Sequence, residues 1–130
     1  MLTWFASISG GQRRTRVLLV EDSFMSARSI VRLLQQSGLE VIGPAPSVAR
    51  AMDLLDTGGC DAAVLDINLG NETAEPIAQR LADAGLPFIF VSGYSSPKLI
   101  DSRFKEKTLV PKPIDPVGFL RTVNEMLQGA

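Results

Sequence analysis

The sequence predicts an α/β protein: a doubly wound, five-stranded parallel sheet with helices on both faces. Three observations predict it. Short apolar, β-branched runs alternate with segments of helical period from residue 16 onward. The segments between strands are of helix length, so consecutive strands pair in parallel through right-handed crossovers. Gly, Pro and Ser fall where the segments change character. At 130 residues the chain makes one domain, and its 45% apolar and 21% charged composition is ordinary for a globular protein.

The elements follow in order. "RVLLV" (16–20) is the first strand. "SFMSARSIVRLLQQSG" is a helix, with Met25, Ile30, Leu33 and Leu34 near helical spacing and Gly38 as its stop. "EVIGPAP" (40–46) is a short strand ending in proline punctuation. "SVARAMDLLDTGG" is a helix with Ser47 as N-cap and Gly58 as C-cap. The third strand, "DAAVLDI", is apolar throughout and belongs at the centre. "AEPIAQRLADAG" is a helix with Pro76 near its first turn, and "PFIFVSG" is the fourth strand. "SSPKLIDSRFKEK" is a helix with Pro97 at its first position and few apolar anchors: Leu99, Ile100 and Phe104. "TLVPKPI" is the fifth strand; Pro111 donates nothing to a ladder, so this strand belongs at an edge. "DPVGFLRTVNEMLQ" closes the chain as a helix capped by Asp115. The order 2-1-3-4-5, that of flavodoxin-like folds, satisfies both placements. Residues 1–13 read as an N-terminal extension broken at Gly10-Gly11, and residues 14–130 as the domain.

Composition excludes several function classes. A net charge of −1 gives no field that recruits nucleic acid or an anionic membrane, although Arg13, Arg14 and Arg16 cluster before any acid. The chain has no histidine, which removes imidazole acid–base work, histidine metal sites and a phosphohistidine of its own. A single cysteine, Cys60, excludes an internal disulfide, fits a reducing, cytoplasmic setting, and reads as a small core or strand-edge residue. No apolar run approaches the ~20 residues of a membrane span. The basic residues near the start follow the apolar stretch, the reverse of a signal peptide.

In such a sheet ligands bind beyond the carboxyl ends of the strands. Strand one ends in Glu21-Asp22, strand three in Asp66, strand four in Ser92-Gly93 and strand five in Lys112-Pro113. Three carboxylates on neighbouring strands repel one another, and a hard cation such as Mg2+ removes that penalty. Lys112 and Ser92 offer a point charge and a donor for phosphate. Acid, cation, lysine and hydroxyl together form a phosphoryl-acceptor site with Asp66 as nucleophile.

With "VLLVEDS", "AVLDINL", "FVSG" and "PKP" in this order, the chain resembles a bacterial response-regulator receiver domain, CheY-like in fold, over residues 14–130. The runs around "DINLGNETAEPIAQRLADAGLPFIFVSGY" look most like small stand-alone receivers with an F-A-T-G-type fourth strand. The resemblance implies a two-component or phosphorelay role. Asp66 takes a phosphoryl group from a sensor histidine kinase or histidine phosphotransfer protein. Mg2+ is held by Asp22, Asp66 and the Asn68 carbonyl, with Glu21 the more distant ligand, and the Lys112–Pro113 bond is cis. The docking face is the first helix near Phe24, Met25 and Ala27. With no further module after residue 130, output is expected through protein–protein contact or onward relay, with a downstream partner or a homodimer left open.

Two departures from the family pattern stand out. Gly70-Asn71 occupies the loop where many receivers carry a proline. Leu109 stands three residues before Lys112, where most receivers place a switching aromatic. Tyr94, two residues after Ser92, is therefore expected to take over the movement that follows phosphorylation. Two rival classes exist. One is a receiver-like interaction module that no longer accepts phosphate. The other is a small phosphatase of the haloacid dehalogenase type, but there the nucleophile ends the first strand and is followed two residues later by Asp; here position 68 is Asn.

Overall fold

The computed structural model describes residues 14–93, 104 and 108–129. The chain order is β1 (Arg16–Val20), α1 (Phe24–Gln36), β2 (Glu40–Ala45), α2 (Val48–Thr57), β3 (Ala62–Asp66), β4 (Asn68–Leu69), β5 (Glu72–Thr73), α3 (Glu75–Asp83), β6 (Phe88–Ser92), β7 (Leu109–Pro111) and α4 (Pro116–Gly129). The main sheet runs β2-β1-β3-β6-β7, and every pairing within it is parallel. β3 is central and buried at all of its positions, and β7 with Pro111 is an edge, as its composition requires.

Strand alternation builds two apolar layers. Leu18, Val20, Ala63, Leu65 and Phe90 face one side and pack with Ala51 of α2 and Ile77, Ala78 and Leu81 of α3. Val17, Leu19, Val64, Ile89 and Val91 face the other and pack with Ala27, Ile30 and Leu34 of α1 and Phe119 and Val123 of α4. Phe104 is 3% exposed and meets Phe88 and Phe90 edge-on at centroid distances of 6.0 and 6.3 Å. Leu99 and Ile100, the other anchors expected in that segment, lie outside the described residues, as do Tyr94 and residues 1–13.

Local signals set the boundaries. Ser23 Oγ caps α1 by accepting from Ser26 N, so Asp22 is not used as a cap. Ser47 Oγ caps α2 by accepting from Arg50 N, and Gly58 closes that helix. Asp115 accepts from Gly118 N at the start of α4. Ser47→Ala is expected to lower stability by about 1 kcal/mol in urea unfolding, the usual worth of such a cap. One element was not anticipated. Asn68-Leu69 and Glu72-Thr73 pair antiparallel across a two-residue Gly70-Asn71 turn, so the loop after Asp66 is a small hairpin. A Gly-Asn pair between short extended runs is itself a hairpin signal.

Candidate functional site

Four strands of the main sheet deliver polar groups to the same edge. β1 leads into Glu21 and Asp22, β3 ends in Asp66, β6 ends in Ser92, and Lys112 follows β7. The apolar burial of these strands fixes their register, which places the groups side by side. Glu21, Asp66 and Ser92 are the buried polar residues of the described chain, at 2%, 6% and 3% exposure, while Asp22 is exposed. The main chain reinforces the edge: Glu21 N donates to Ala45 O, Ile67 N to Val91 O, and Lys112 N to Ser92 O, each at 2.9–3.0 Å.

The charges form one constellation. Lys112 Nζ lies 2.6 Å from Glu21 Oε1 and 3.1 Å from Asp66 Oδ2. Glu21 Oε2 accepts from Ser23 N at 3.0 Å, and Asp66 Oδ1 from Asn68 N at 3.2 Å. Glu21 Oε1 is buried, and its close partner is the Lys112 ammonium, with which it forms an ion pair. The Asp66 carboxyl is pushed up to about 7, first by burial and then by the Glu21 carboxylate beside it, against the downward pull of Lys112. Burial alone pulls the Lys112 ammonium down, but Glu21 and Asp66 outweigh it and hold it above its usual range. The Lys112–Pro113 peptide bond is cis, as is Gly43–Pro44.

One lysine against three carboxylates leaves an excess of negative charge. Glu21, Asp22 and Asp66 each present a carboxylate oxygen, all within 4.8 Å of one another. Ligand separations around a six-coordinate Mg2+ run from about 2.9 to 4.2 Å, so a small inward movement would suit that ion. The oxygen-only donor set fits a hard divalent cation. These groups border an open cleft of about 480 Å3 that Asn68, Gly70 and Gly93 also line.

A family model for the response regulator receiver domain matches residues 17–124. The chain belongs to the response-regulator receiver family. Its sheet order and its acidic edge are those of a receiver. Among solved structures, the BeF3-activated conformation of SdrG from Pseudomonas melonis Fr1 is 33% identical, covering 90% of this chain and 99% of that one at a TM-score of 0.73. SdrG from Sphingomonas melonis Fr1 is 32% identical with the same coverage and a TM-score of 0.76. A CheY-like receiver domain protein from Methanospirillum hungatei JF-1 shares the fold at 23% identity and a TM-score of 0.79, covering 90% of this receiver and 96% of that chain. No curated protein matches. No helix among the described residues is long and apolar enough to cross a membrane.

The structure thus brings Glu21, Asp22, Asp66, Asn68 and Lys112 to one cleft, with Ser92 buried next to the Gly93 that lines it. Leu109 is half-buried, opens β7 and pairs with Phe90. Tyr94 lies outside the described residues. Ala27 is a correction: it is 4% exposed and belongs to the core, so it offers nothing to a partner on α1. Reading the sequence also missed the Glu21–Lys112 pair. No local signal announces a contact across 91 positions of chain between two groups whose meeting depends on strand order.

Proposed function

We propose that this receiver accepts a phosphoryl group on Asp66 from a phosphohistidine of a sensor histidine kinase or histidine phosphotransfer protein and passes the signal on by protein contact. The observation that carries it is the buried Asp66 carboxylate, 3.1 Å from Lys112 and facing an open acidic cleft. An Asp66 oxygen attacks phosphorus, forming the O–P bond as the N–P bond breaks. The electron pair returns to the partner's imidazole, which is then reprotonated. Lys112 faces the incoming phosphoryl oxygens and is held by its ion pair with Glu21. The Ser92 hydroxyl is the donor for a further phosphoryl oxygen. Asp22, Asp66 and the Asn68 carbonyl would hold Mg2+, with Glu21 reaching it through water, and the ion would neutralise charge on the transferring group. A shallow groove of about 320 Å3 between Met25, Ser26 and Ser29 of α1 and Pro113 and Ile114 shares Lys112 with the cleft. Phe24 and Met25 are 75% and 73% exposed beside it, and this apolar rim is the docking face for the helix that carries the partner's phosphohistidine.

Incubation with a small phosphodonor and Mg2+, followed by intact mass, tests this reading. One lasting phosphoryl adduct supports it; no adduct favours an inert interaction module, and rapid turnover without adduct favours a phosphatase. A second expected result concerns the ion. Mg2+ should raise the melting temperature, since a ligand at ten times its Kd adds about 1.4 kcal/mol. Asp22→Ala should remove most of that rise in a thermal scan with and without Mg2+; equal rises in both proteins would speak against Asp22 as a ligand.

A further inference from the structure

The hairpin that follows the acceptor is fastened at a point this reading does not use. Glu72 opens β5 and lies opposite Leu69. Its Oε2 accepts a hydrogen bond from Val48 N, 3.1 Å away and 24 residues earlier in the chain. Val48 is the first residue of α2, whose own cap, Ser47, already accepts from Arg50 N at 3.2 Å. Two orphan amides of one helix end are therefore satisfied by different segments, one adjacent and one from the acceptor loop. A carboxylate at that end also meets the positive pole of the helix, so the bond is charge-assisted.

The rest of the loop is held by local bonds and by the burial of Leu69 and Ala74 in the core. Ala74 N donates to Ile67 O at 3.0 Å, and Glu75 N to Thr73 Oγ1 at 3.4 Å. Asn68 begins the hairpin, and its N–H already binds Asp66. Gly70 at the tip borders the cleft: a Cβ there would stand 4.0 Å from Asp22 Oδ2. A two-residue strand pair is too short to be rigid alone. Leu69 and Ala74 pin its apolar side to the core, and Glu72 adds a polar tie from its other strand to α2.

We propose that Glu72 is a positioning residue: it anchors the 68–73 hairpin to the first amide of α2, fixes the Asn68 carbonyl for the divalent cation, and so couples the N-terminus of α2 to occupancy of the acceptor cleft. This rests on the Mg2+ site proposed above. Coupling of this kind is reciprocal, so a cation in the cleft tightens the Val48 bond as the bond tightens the cation.

The test titrates Mg2+ calorimetrically into the full chain and follows Val48 amide exchange by NMR. The proteins are wild type, Glu72→Ala, Glu72→Gln and Ser47→Ala. Glu72→Ala is expected to weaken Mg2+ roughly tenfold, the effect of losing a group that orients a ligand. Glu72→Gln keeps an acceptor oxygen and should retain most of the affinity. Ser47→Ala lowers the melting temperature through the same helix end but should leave Mg2+ affinity at the wild-type value. Mg2+ should slow Val48 exchange in wild type and leave it unchanged in Glu72→Ala. Wild-type affinity in Glu72→Ala, or a loss in Ser47→Ala as large as that in Glu72→Ala, overturns the inference while leaving the metal site standing. A wild-type protein that binds no Mg2+ overturns the metal site and the inference together.

Discussion

Asp66→Asn is expected to gain no phosphoryl group from any donor and, in metal-free buffer near neutral pH, to be more stable than the wild type. The first effect follows because the amide offers no anionic oxygen to attack phosphorus. The second follows from linkage. Folding raises the Asp66 carboxyl from 3.8 to about 7, through burial and the neighbouring Glu21. Between those values the folded state binds more protons than the unfolded one, so stability falls as pH rises. The contribution is fully present below about pH 4 and lost by the time pH passes about 7, and at about 1.4 kcal/mol per unit it amounts to a few kcal/mol. Asparagine carries no charge and removes that slope. Urea unfolding of both proteins from pH 5 to 8 without Mg2+ measures it. Parallel curves would mean that Asp66 is not strained by its neighbours, and an adduct on the variant would mean that another residue accepts.

The second large effect is structural and lies beside the site. Gly43 sits at φ 101° before the cis Gly43–Pro44 bond. A Cβ there would meet Ala45 N at 2.7 Å and Leu19 O at 2.9 Å, both backbone atoms that no rotamer change relieves. Ala45 O is the acceptor for Glu21 N, so a shift of this segment also disturbs the acidic edge. Gly43→Ala should cost about 2–5 kcal/mol, combining a positive-φ penalty with overpacking. Gly59 is the control: its φ is 71° but nothing lies within 4 Å of a Cβ, so Gly59→Ala isolates the conformational penalty of about 1 kcal/mol. Chemical unfolding of the two variants should separate them clearly. Equal losses would show that the Gly43 contacts relax.

The contrast between these residues shows what is legible in sequence. Strand and helix positions were readable because burial imposes periods of 2.0 and 3.6, and the centrality of β3 and the edge position of β7 followed from apolar continuity and Pro111. The polar cluster was readable too, because in a parallel α/β sheet every strand delivers its last residue to one edge. Three things were not. The Glu21–Lys112 contact is fixed by packing depth rather than by neighbours in the chain. The Gly70-Asn71 hairpin carried a readable turn signal, but its tie through Glu72 to Val48 depends on two loops meeting in space. Ala27 does not share the exposed face of Met25: it stands about 200° round the helix from it and lies on the buried stripe with Ile30 and Leu34.

The identity of the acceptor is the point on which the rest depends. Borohydride reduction of the phosphorylated protein turns an aspartyl phosphate into homoserine, and peptide mapping then locates it. Homoserine at position 66 alone, dependent on Mg2+, is the expected result. Homoserine at Asp22 instead, or a phosphoryl group that survives reduction on a hydroxyl such as Ser92, would contradict it.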